Sequence, residues 1–351
     1  LMMFSIVFNY FSALSIDNYS KQKNYHYKKI SFIVTVAVNI AIISFFKYLG
    51  FLILNVNSIF GAHIDVPSIS LPIGISFYTF QTLSYIIDVY WGNVQVQHNI
   101  IDFGAYITMF PQLIAGPIVR YKDIAAQLRH RRLSMENIAD GAAWFVRGLA
   151  KKVLLANNAG MLYDSVFAIA ASDRAALTTL LGVIAYTFQI YFDFSGYSDM
   201  AIGLGKMLGF RFVRNFDYPY ISTSATEFWR RWHISLGTWF REYVYIPLGG
   251  NRVSPAKHIR NLLVVWFLTG LWHGASWAFV LWGLYWGILL ILEKYVYGRV
   301  LSKLPLAVGH VYTVIAFMFG WMIFTASSAA DLGSNLSDQL LVCALEDEKR
   351  V

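Results

Sequence analysis

Apolar residues along this chain run in long blocks separated by short polar or basic stretches, and the block lengths predict membrane helices rather than strands. Residues 30–60 are apolar apart from Lys47 and scattered Asn and Ser. That length suits one tilted span with an interfacial tail, or two short segments, with Lys47 snorkelling. Residues 72–91 form the next span, with Gly74, Ser76 and Thr79 as a close-packing face and Asp88 toward the interface. Residues 100–118 are broken by Pro111 and by Gly116-Pro117, a pattern that predicts a re-entrant element. Residues 135–167 read as an amphipathic to buried helix with Ser134 and Asn137 as caps. A clear span over 175–194 comes next, then a small-residue helix over 200–208. Residues 276–292 and 306–325 are the last two spans. Between these blocks, residues 21–29 and 293–303 read as polar loops, and 326–351 as a polar tail.

Residues 217–282 carry what ordinary membrane packing explains least, and are read as the catalytic core stretch. Ser224-Ala225-Thr226-Glu227 is a capping-box sequence, so a helix begins near Ala225; Pro247 and Gly249-Gly250 stop it. Within it Trp229, Trp232, Leu236, Trp239, Phe240 and Tyr243 fall in one stripe, while Arg230, Thr238 and Arg241 point the other way. Arg230, Arg231, Arg241, Glu227 and Glu242 are too costly for hydrocarbon, so this helix is interfacial or lies around a wet cavity. His233 sits at the border of its aromatic stripe. A second histidine, His273, ends the apolar run 262–271. On one continuous helix Trp266, Gly270, His273 and Trp277 share a face. An ionisable group at membrane depth is a functional-site hypothesis, set against a structural histidine that donates to a carbonyl between helices.

Composition agrees with the membrane reading: of 351 residues 57% are hydrophobic and only 14% charged, against about 25% charged in soluble domains. The formal charge of +8 is scattered between apolar spans, where Lys and Arg act as topology signals, so nucleic acid is excluded as a partner. Residues 21–29 and 120–132 are both basic and both claim the cytoplasmic side. An even number of crossings must separate them, so either residues 30–60 form two segments or a later piece is re-entrant. The single cysteine, Cys343, rules out an intrachain disulfide and a cysteine metal cluster. The stretch that begins Leu1-Met2-Met3 has no charged n-region and no small-residue cleavage site.

Several motifs together carry a resemblance. Tyr218-Pro219-Tyr220-Ile221-Ser222, Glu227-Phe228-Trp229-Arg230-Arg231-Trp232-His233-Ile234-Ser235-Leu236, Tyr245-Ile246-Pro247-Leu248-Gly249-Gly250-Asn251-Arg252 and Gly270-Leu271-Trp272-His273-Gly274 resemble the membrane-bound O-acyltransferase (MBOAT) family. Upstream, residues 71–81, the pair Gly116-Pro117, and Asp193-Phe194-Ser195-Gly196-Tyr197-Ser198-Asp199 fit the same family, so the similarity spans about residues 30 to 325. Within it the chain is most similar to the branch that O-acetylates bacterial polysaccharides such as alginate, rather than the D-alanyl transferases of lipoteichoic acid. The resemblance implies an all-α, multi-pass protein of the bacterial plasma (inner) membrane. It implies roughly eight transmembrane or re-entrant helices plus interfacial helices around a central funnel. Residues 1–351 are then a single membrane domain lacking further amino- and carboxy-terminal spans. It further implies His273 as the catalytic residue and His233 as its second histidine. The donor would be a cytoplasmic thioester, acetyl-CoA or another, with no bound cofactor. The partners would be a polysaccharide acceptor, membrane lipids and an extracytoplasmic acetyltransferase protein.

Acyl transfer from a thioester to a hydroxyl needs a base, a stabiliser for the oxyanion, and exclusion of water. His273, kept neutral by its apolar setting, is the expected base, and His233 or an indole N–H the expected oxyanion support. Asn261 and Thr269 are further donors. Trp229, Arg230, Arg231, Trp232, Asn261, Trp272 and Trp277 are expected to line the cavity. Asp193 and Asp199 are read as a structural charge network pairing with the arginines of the 225–247 helix, not as a metal site. Two competing classes remain: a transporter or channel whose histidines line a path, and an assembly subunit in which neither histidine matters.

Overall fold

The computed structural model describes residues 1–114, 116–170 and 173–326, and within these it is helical with no strand. Cys343 and the tail expected over 326–351 lie outside the described residues, apart from Ala326. In chain order the helices are α1 (Met2–Lys21), α2 (Tyr25–Phe60), α3 (Ile75–Trp91), α4 (Ile100–Thr108), α5 (Phe110–Leu113), α6 (Tyr121–Arg129), α7 (Met135–Ala150) and α8 (Asn157–Phe167). They continue with α9 (Ala176–Met207), α10 (Ala225–Arg231), α11 (Ile234–Phe240), α12 (Pro255–His273), α13 (Trp277–Leu292), α14 (Gly298–Leu301) and α15 (Leu306–Thr325). Three π-helical segments, Lys151–Ala156, Arg241–Tyr245 and Glu293–Tyr297, are spliced between them. Among the described residues four helical stretches are long and apolar enough to cross a membrane: Tyr25–Phe60, Ala176–Met207, Trp277–Leu301 and Leu306–Thr325.

The chain divides into two compact units, Leu1–Phe145 with Met200–Arg214, and Val146–Asp199 with Asn215–Val351. In the first, polarity is arranged inside out. Helix α2 buries Thr35, Asn39 and Ile43 while Ile33, Val34, Ile40 and Phe45 are exposed, which suits a helix whose outer face meets lipid. Asn39 exchanges reciprocal amide hydrogen bonds with Asn9 of α1, at 2.8 and 3.1 Å. Lys47 donates to the Ser76 hydroxyl at 3.1 Å. Residues 30–60 belong to one continuous helix, not two segments. The basic stretch 21–29 is mostly helical, because Asn24 caps α2 by accepting from the Tyr27 N–H. Of the basic 120–132 stretch, most folds as the short amphipathic α6.

The second unit holds an aromatic core in which Trp282, Trp286, Trp321 and Phe228 are essentially inaccessible. Phe228 stacks on Trp286 at 5.5 Å and Trp229 meets Trp266 edge-on at 4.6 Å. Helices α12 and α13 pack so closely that a Cβ on Gly270 would clash with the Phe279 carbonyl oxygen, and one on Gly283 with the Trp266 carbonyl oxygen. The span expected at 175–194 and the small-residue helix at 200–208 are one helix, α9. The loop expected at 293–303 is mostly helical, and its first residue is structural. The buried Glu293 carboxylate accepts from the Ala225 and Thr226 N–H groups at 2.8 and 3.0 Å, and so caps α10. Each charge-assisted bond of this kind contributes about 1.5–3 kcal/mol. Replacing Glu293 with Leu is therefore expected to lower stability by several kcal/mol, read as a fall in melting temperature of the detergent-solubilised protein; an unchanged melt would show the cap to be inert.

Candidate functional site

The helix expected over 225–247 is broken at its histidine. Trp232 is extended (φ −99°, ψ 131°) and His233 left-handed (φ 44°, ψ 53°), so α10 stops at Arg231 and α11 restarts at Ile234. A non-glycine residue in that conformation costs of order 1–3 kcal/mol and persists only where its surroundings fix it. Here the clasp is the segment 215–217. Asn215 accepts from the Ile234 N–H through its carbonyl at 2.9 Å, and the Asp217 N–H donates to the Arg231 carbonyl at 2.9 Å. The Asn215 side-chain oxygen takes the Ser235 N–H at 3.2 Å and the Ser235 hydroxyl at 2.8 Å, and lies 3.1 Å from His233 Nδ1. The Asn215 amide N–H donates to the Ser198 hydroxyl of α9 at 3.0 Å. Phe194, one turn earlier on α9, meets the His233 ring edge-on at 4.6 Å.

His233 is buried, and its Nε2 has no hydrogen-bond partner among the described residues. Burial first, and then the nearby His273, push its imidazole well below the usual histidine range, so it is neutral near pH 7. It lies between two short helices outside the four candidate spans. His273 is the last residue of α12, followed by extended Gly274. Its ring is half-buried and meets Trp272 at 4.9 Å, Trp282 at 4.8 Å and Phe324 at 5.2 Å, each edge-on. Trp272 in turn lies 5.8 Å from His233. One indole thus stands between the two imidazoles.

A cavity of about 420 Å³ opens beside His233, lined mainly by apolar atoms. Trp229, Trp266, Leu262, Val265 and Thr269 wall it, and Arg230, Arg241, Thr238 and Tyr245 supply polar groups. Trp229 Nε1 is buried with no partner among the described residues.

Of the residues expected to line it, Trp229 and Arg230 do, with His233. Arg231, Trp232, Asn261, Trp272 and Trp277 do not, and neither does His273; Trp272 instead contacts both imidazoles. Arg231 is held by Glu227 at 2.9 Å and Asp217 at 3.7 Å. Trp232 packs on Trp321 at 4.7 Å in the aromatic core. Asn261 has both amide hydrogens on carbonyls, Leu248 at 3.1 Å and Gly250 at 3.0 Å, so it holds a turn and is no donor to a substrate. Trp277 is 52% exposed, because α12 ends at His273 and the continuous face expected from Trp266 to Trp277 does not exist. Asp199 and Asp193 pair with lysines rather than arginines: Lys151 with Asp199 at 2.6 Å, and Lys152 with Asp193. Ser224 accepts from the Glu227 N–H as expected, whereas Glu227 reaches past the cap to the Thr223 N–H. Asn215 and Glu293 were not legible as site residues, since neither a lone Asn nor a lone Glu carries a periodic or motif signal.

The family profile described as "MBOAT, membrane-bound O-acyltransferase family" matches residues 92–334. The chain belongs to the membrane-bound O-acyltransferase family. This MBOAT chain is 44% identical over 326 residues to "Probable alginate O-acetylase AlgI" of Azotobacter vinelandii, covering 92% of the chain and 64% of that relative. To the protein of the same description from Pseudomonas aeruginosa it is 45% identical, over 92% of the chain and 62% of the relative. To "Peptidoglycan O-acetyltransferase" of Helicobacter pylori it is 36% identical, over 93% of the chain and 67% of the relative. The MBOAT chain therefore spans just under two thirds of the length of these alginate O-acetylases. Together with its candidate spans, membership makes it a multi-pass membrane protein.

The two adjacent arginines separate in role. Arg231→Gln is expected to lower the melting temperature, since it removes ion pairs that pin α10 to Asp217, worth about 1 kcal/mol at their partial exposure. Arg230→Gln, facing the cavity, is expected to leave the melt unchanged. Equal melts for the two variants would contradict this division.

Proposed function

We propose that this chain carries the transfer core of an O-acetyltransferase of the bacterial inner membrane. It moves an acetyl group from a cytoplasmic thioester, acetyl-CoA or another, toward an extracytoplasmic polysaccharide such as alginate. The group passes directly or through a partner acetyltransferase. The observation that carries this reading is the pair of imidazoles flanking the Trp272 indole, with a largely apolar cavity opening beside one of them, His233. Relatives described as acetyl transferases match 92–93% of the chain, whereas "Teichoic acid D-alanyltransferase" of Streptococcus thermophilus matches 63% at 31% identity. That favours acetyl over D-alanyl.

In the step proposed, a hydroxyl oxygen attacks the thioester carbonyl and the C–S bond breaks. The hydroxyl proton passes to an imidazole and from there to the departing thiolate. His273, half-buried at the end of α12, takes the proton. The Trp229 indole N–H, buried in the cavity wall and free to donate, supports the oxyanion. The aromatic wall excludes the water that would hydrolyse the donor. For topology, residues 25–60 form one helix, so the even crossing count between the two basic segments is met by α2 and α3 spanning and α4–α5 re-entering. The finer count of roughly eight spans or re-entrant helices around a funnel belongs to this same proposal.

In membranes supplied with labelled acetyl thioester and polysaccharide, His273→Ala is expected to reduce transfer at least ~100-fold with insertion intact. Trp229→Phe, which keeps the ring but loses the N–H, is expected to reduce kcat about 100-fold. Full transfer by the His273→Ala variant would falsify the reading.

A further inference from the structure

Asn215 lies outside every motif that marks the site, yet His233 Nδ1, the Ser235 N–H and the Ser235 hydroxyl all converge on its side-chain oxygen at the break between α10 and α11. Which of its two terminal atoms is oxygen is settled by the partners. A backbone N–H only donates, so the atom 3.2 Å from the Ser235 N–H is Oδ1, and the amide nitrogen faces the Ser198 hydroxyl. His233 Nδ1 lies 3.1 Å from that same oxygen, which only accepts, so Nδ1 carries the hydrogen. A neutral imidazole has a single N–H. Nε2 is then a bare lone pair, buried and without a partner among the described residues.

We propose that Asn215 is a positioning residue that locks His233 in its Nδ1-protonated tautomer and presents the Nε2 lone pair to the transfer site as a hydrogen-bond acceptor for the attacking hydroxyl, braced from behind by Ser198 and Ser235. This rests on the reading that His233 takes part in acyl transfer, and it changes what His233 does there. A ring in this tautomer has no hydrogen at Nε2 to give an oxyanion. Oxyanion support therefore falls to the Trp229 N–H alone of the two groups considered, and His233 joins His273 as an acceptor. The logic is that of a buried group fixing the tautomer of a catalytic imidazole, here with a neutral amide in place of a carboxylate.

An amide and a carboxylate fix the same tautomer but differ in charge, which gives the test. Asp at position 215 keeps the acceptor for Nδ1–H and for the Ser235 N–H, and places a negative charge against the ring. The titratable or charged groups near His233 are His273 of α12 and, around the cavity, Arg230, Arg241 and Tyr245. From α9 the packed group is Phe194, while Asp193 is held by Lys152. None of these is altered by the substitution. A new carboxylate stabilises imidazolium and raises the His233 pKa by about 1–3 units, and once that brings His233 above the other acceptor the acid limb of the rate–pH profile moves up. Asn215→Leu leaves the tautomer unfixed and is expected to cost about 10²–10⁴ in kcat with KM little changed.

Acetyl transfer from labelled thioester is measured from about pH 5 to 9, the range in which histidines titrate, in membranes bearing wild-type protein, Asn215→Asp or Asn215→Leu at matched levels. An acid limb displaced upward in the Asp variant supports the assignment. A Leu variant that retains its kcat overturns it. If wild type itself transfers nothing, the functional reading has failed instead, and the tautomer is read directly. Solid-state NMR of ¹⁵N-histidine-labelled protein, with the His233 signal identified by its loss in His233→Gln, is expected to show Nδ1 protonated. Nε2 protonated in wild type would end the proposal.

Discussion

The interruption of the aromatic helix at Trp232 and His233 is the constraint on which the second unit depends. Left continuous, residues 225–245 would place His233 on a helical face, one turn from Trp229, with its backbone N–H spent on the helix ladder. The left-handed turn at His233 ends one helix and starts another, and the unmet amides of Ile234 and Ser235 are satisfied by Asn215. The strain of that backbone is thus held in large part by a single residue from another segment. In return the imidazole leaves the helical surface and enters a buried corner between Phe194 and Trp272.

The three π segments serve the same unit. An extra residue in a helical turn rotates everything after it by about 100° and leaves one carbonyl out of the regular ladder. Lys151–Ala156 opens with the two lysines that pair with Asp199 and Asp193 of α9. Arg241–Tyr245 brings Arg241 and Tyr245 to the cavity. Glu293–Tyr297 begins with the carboxylate that caps α10. Each segment thus lies where a charged or polar group meets its partner or the cavity, in keeping with the frequent placement of π segments at functional regions.

Much of this was legible from residue order. Period and block length located α13 and α15 to within a residue, because an apolar run bounded by Ser276 or by Pro305 leaves little choice of start. The aromatic stripe of 229–243 and the exposure of Arg230 and Arg241 were equally readable. The break at residue 233 was not, because nothing local forbids helix at Trp-His-Ile; a residue 18 positions upstream imposes it. The same blindness to distant partners misassigned Asp193 and Asp199 to arginines, made Asn261 a donor and put Trp277 in the cavity. Helix periodicity says which residues share a face, and it holds only while the helix continues. α12 stops at His273, and the face stops with it.

Two indoles, Trp229 and Trp266, stand among Leu, Ile and Val side chains in the cavity wall, and for the proposed function they add what aliphatic side chains lack. An aliphatic wall excludes water but offers nothing to charge. Tryptophan excludes water over a large rigid area and still presents one N–H and a ring whose face and edge carry opposite partial charge. His273 meets Trp272, Trp282 and Phe324 edge-on, an arrangement in which the rings favour one another electrostatically without a formal charge nearby. A formal charge would shift the imidazoles toward one protonation state and hold them there. Among the described residues Asp217 and Glu227 are committed to Arg231, and Glu293 to the α10 cap. Around His273 the ring contacts supply dipoles and quadrupoles, and at His233 the Asn215 amide orients the imidazole without adding charge.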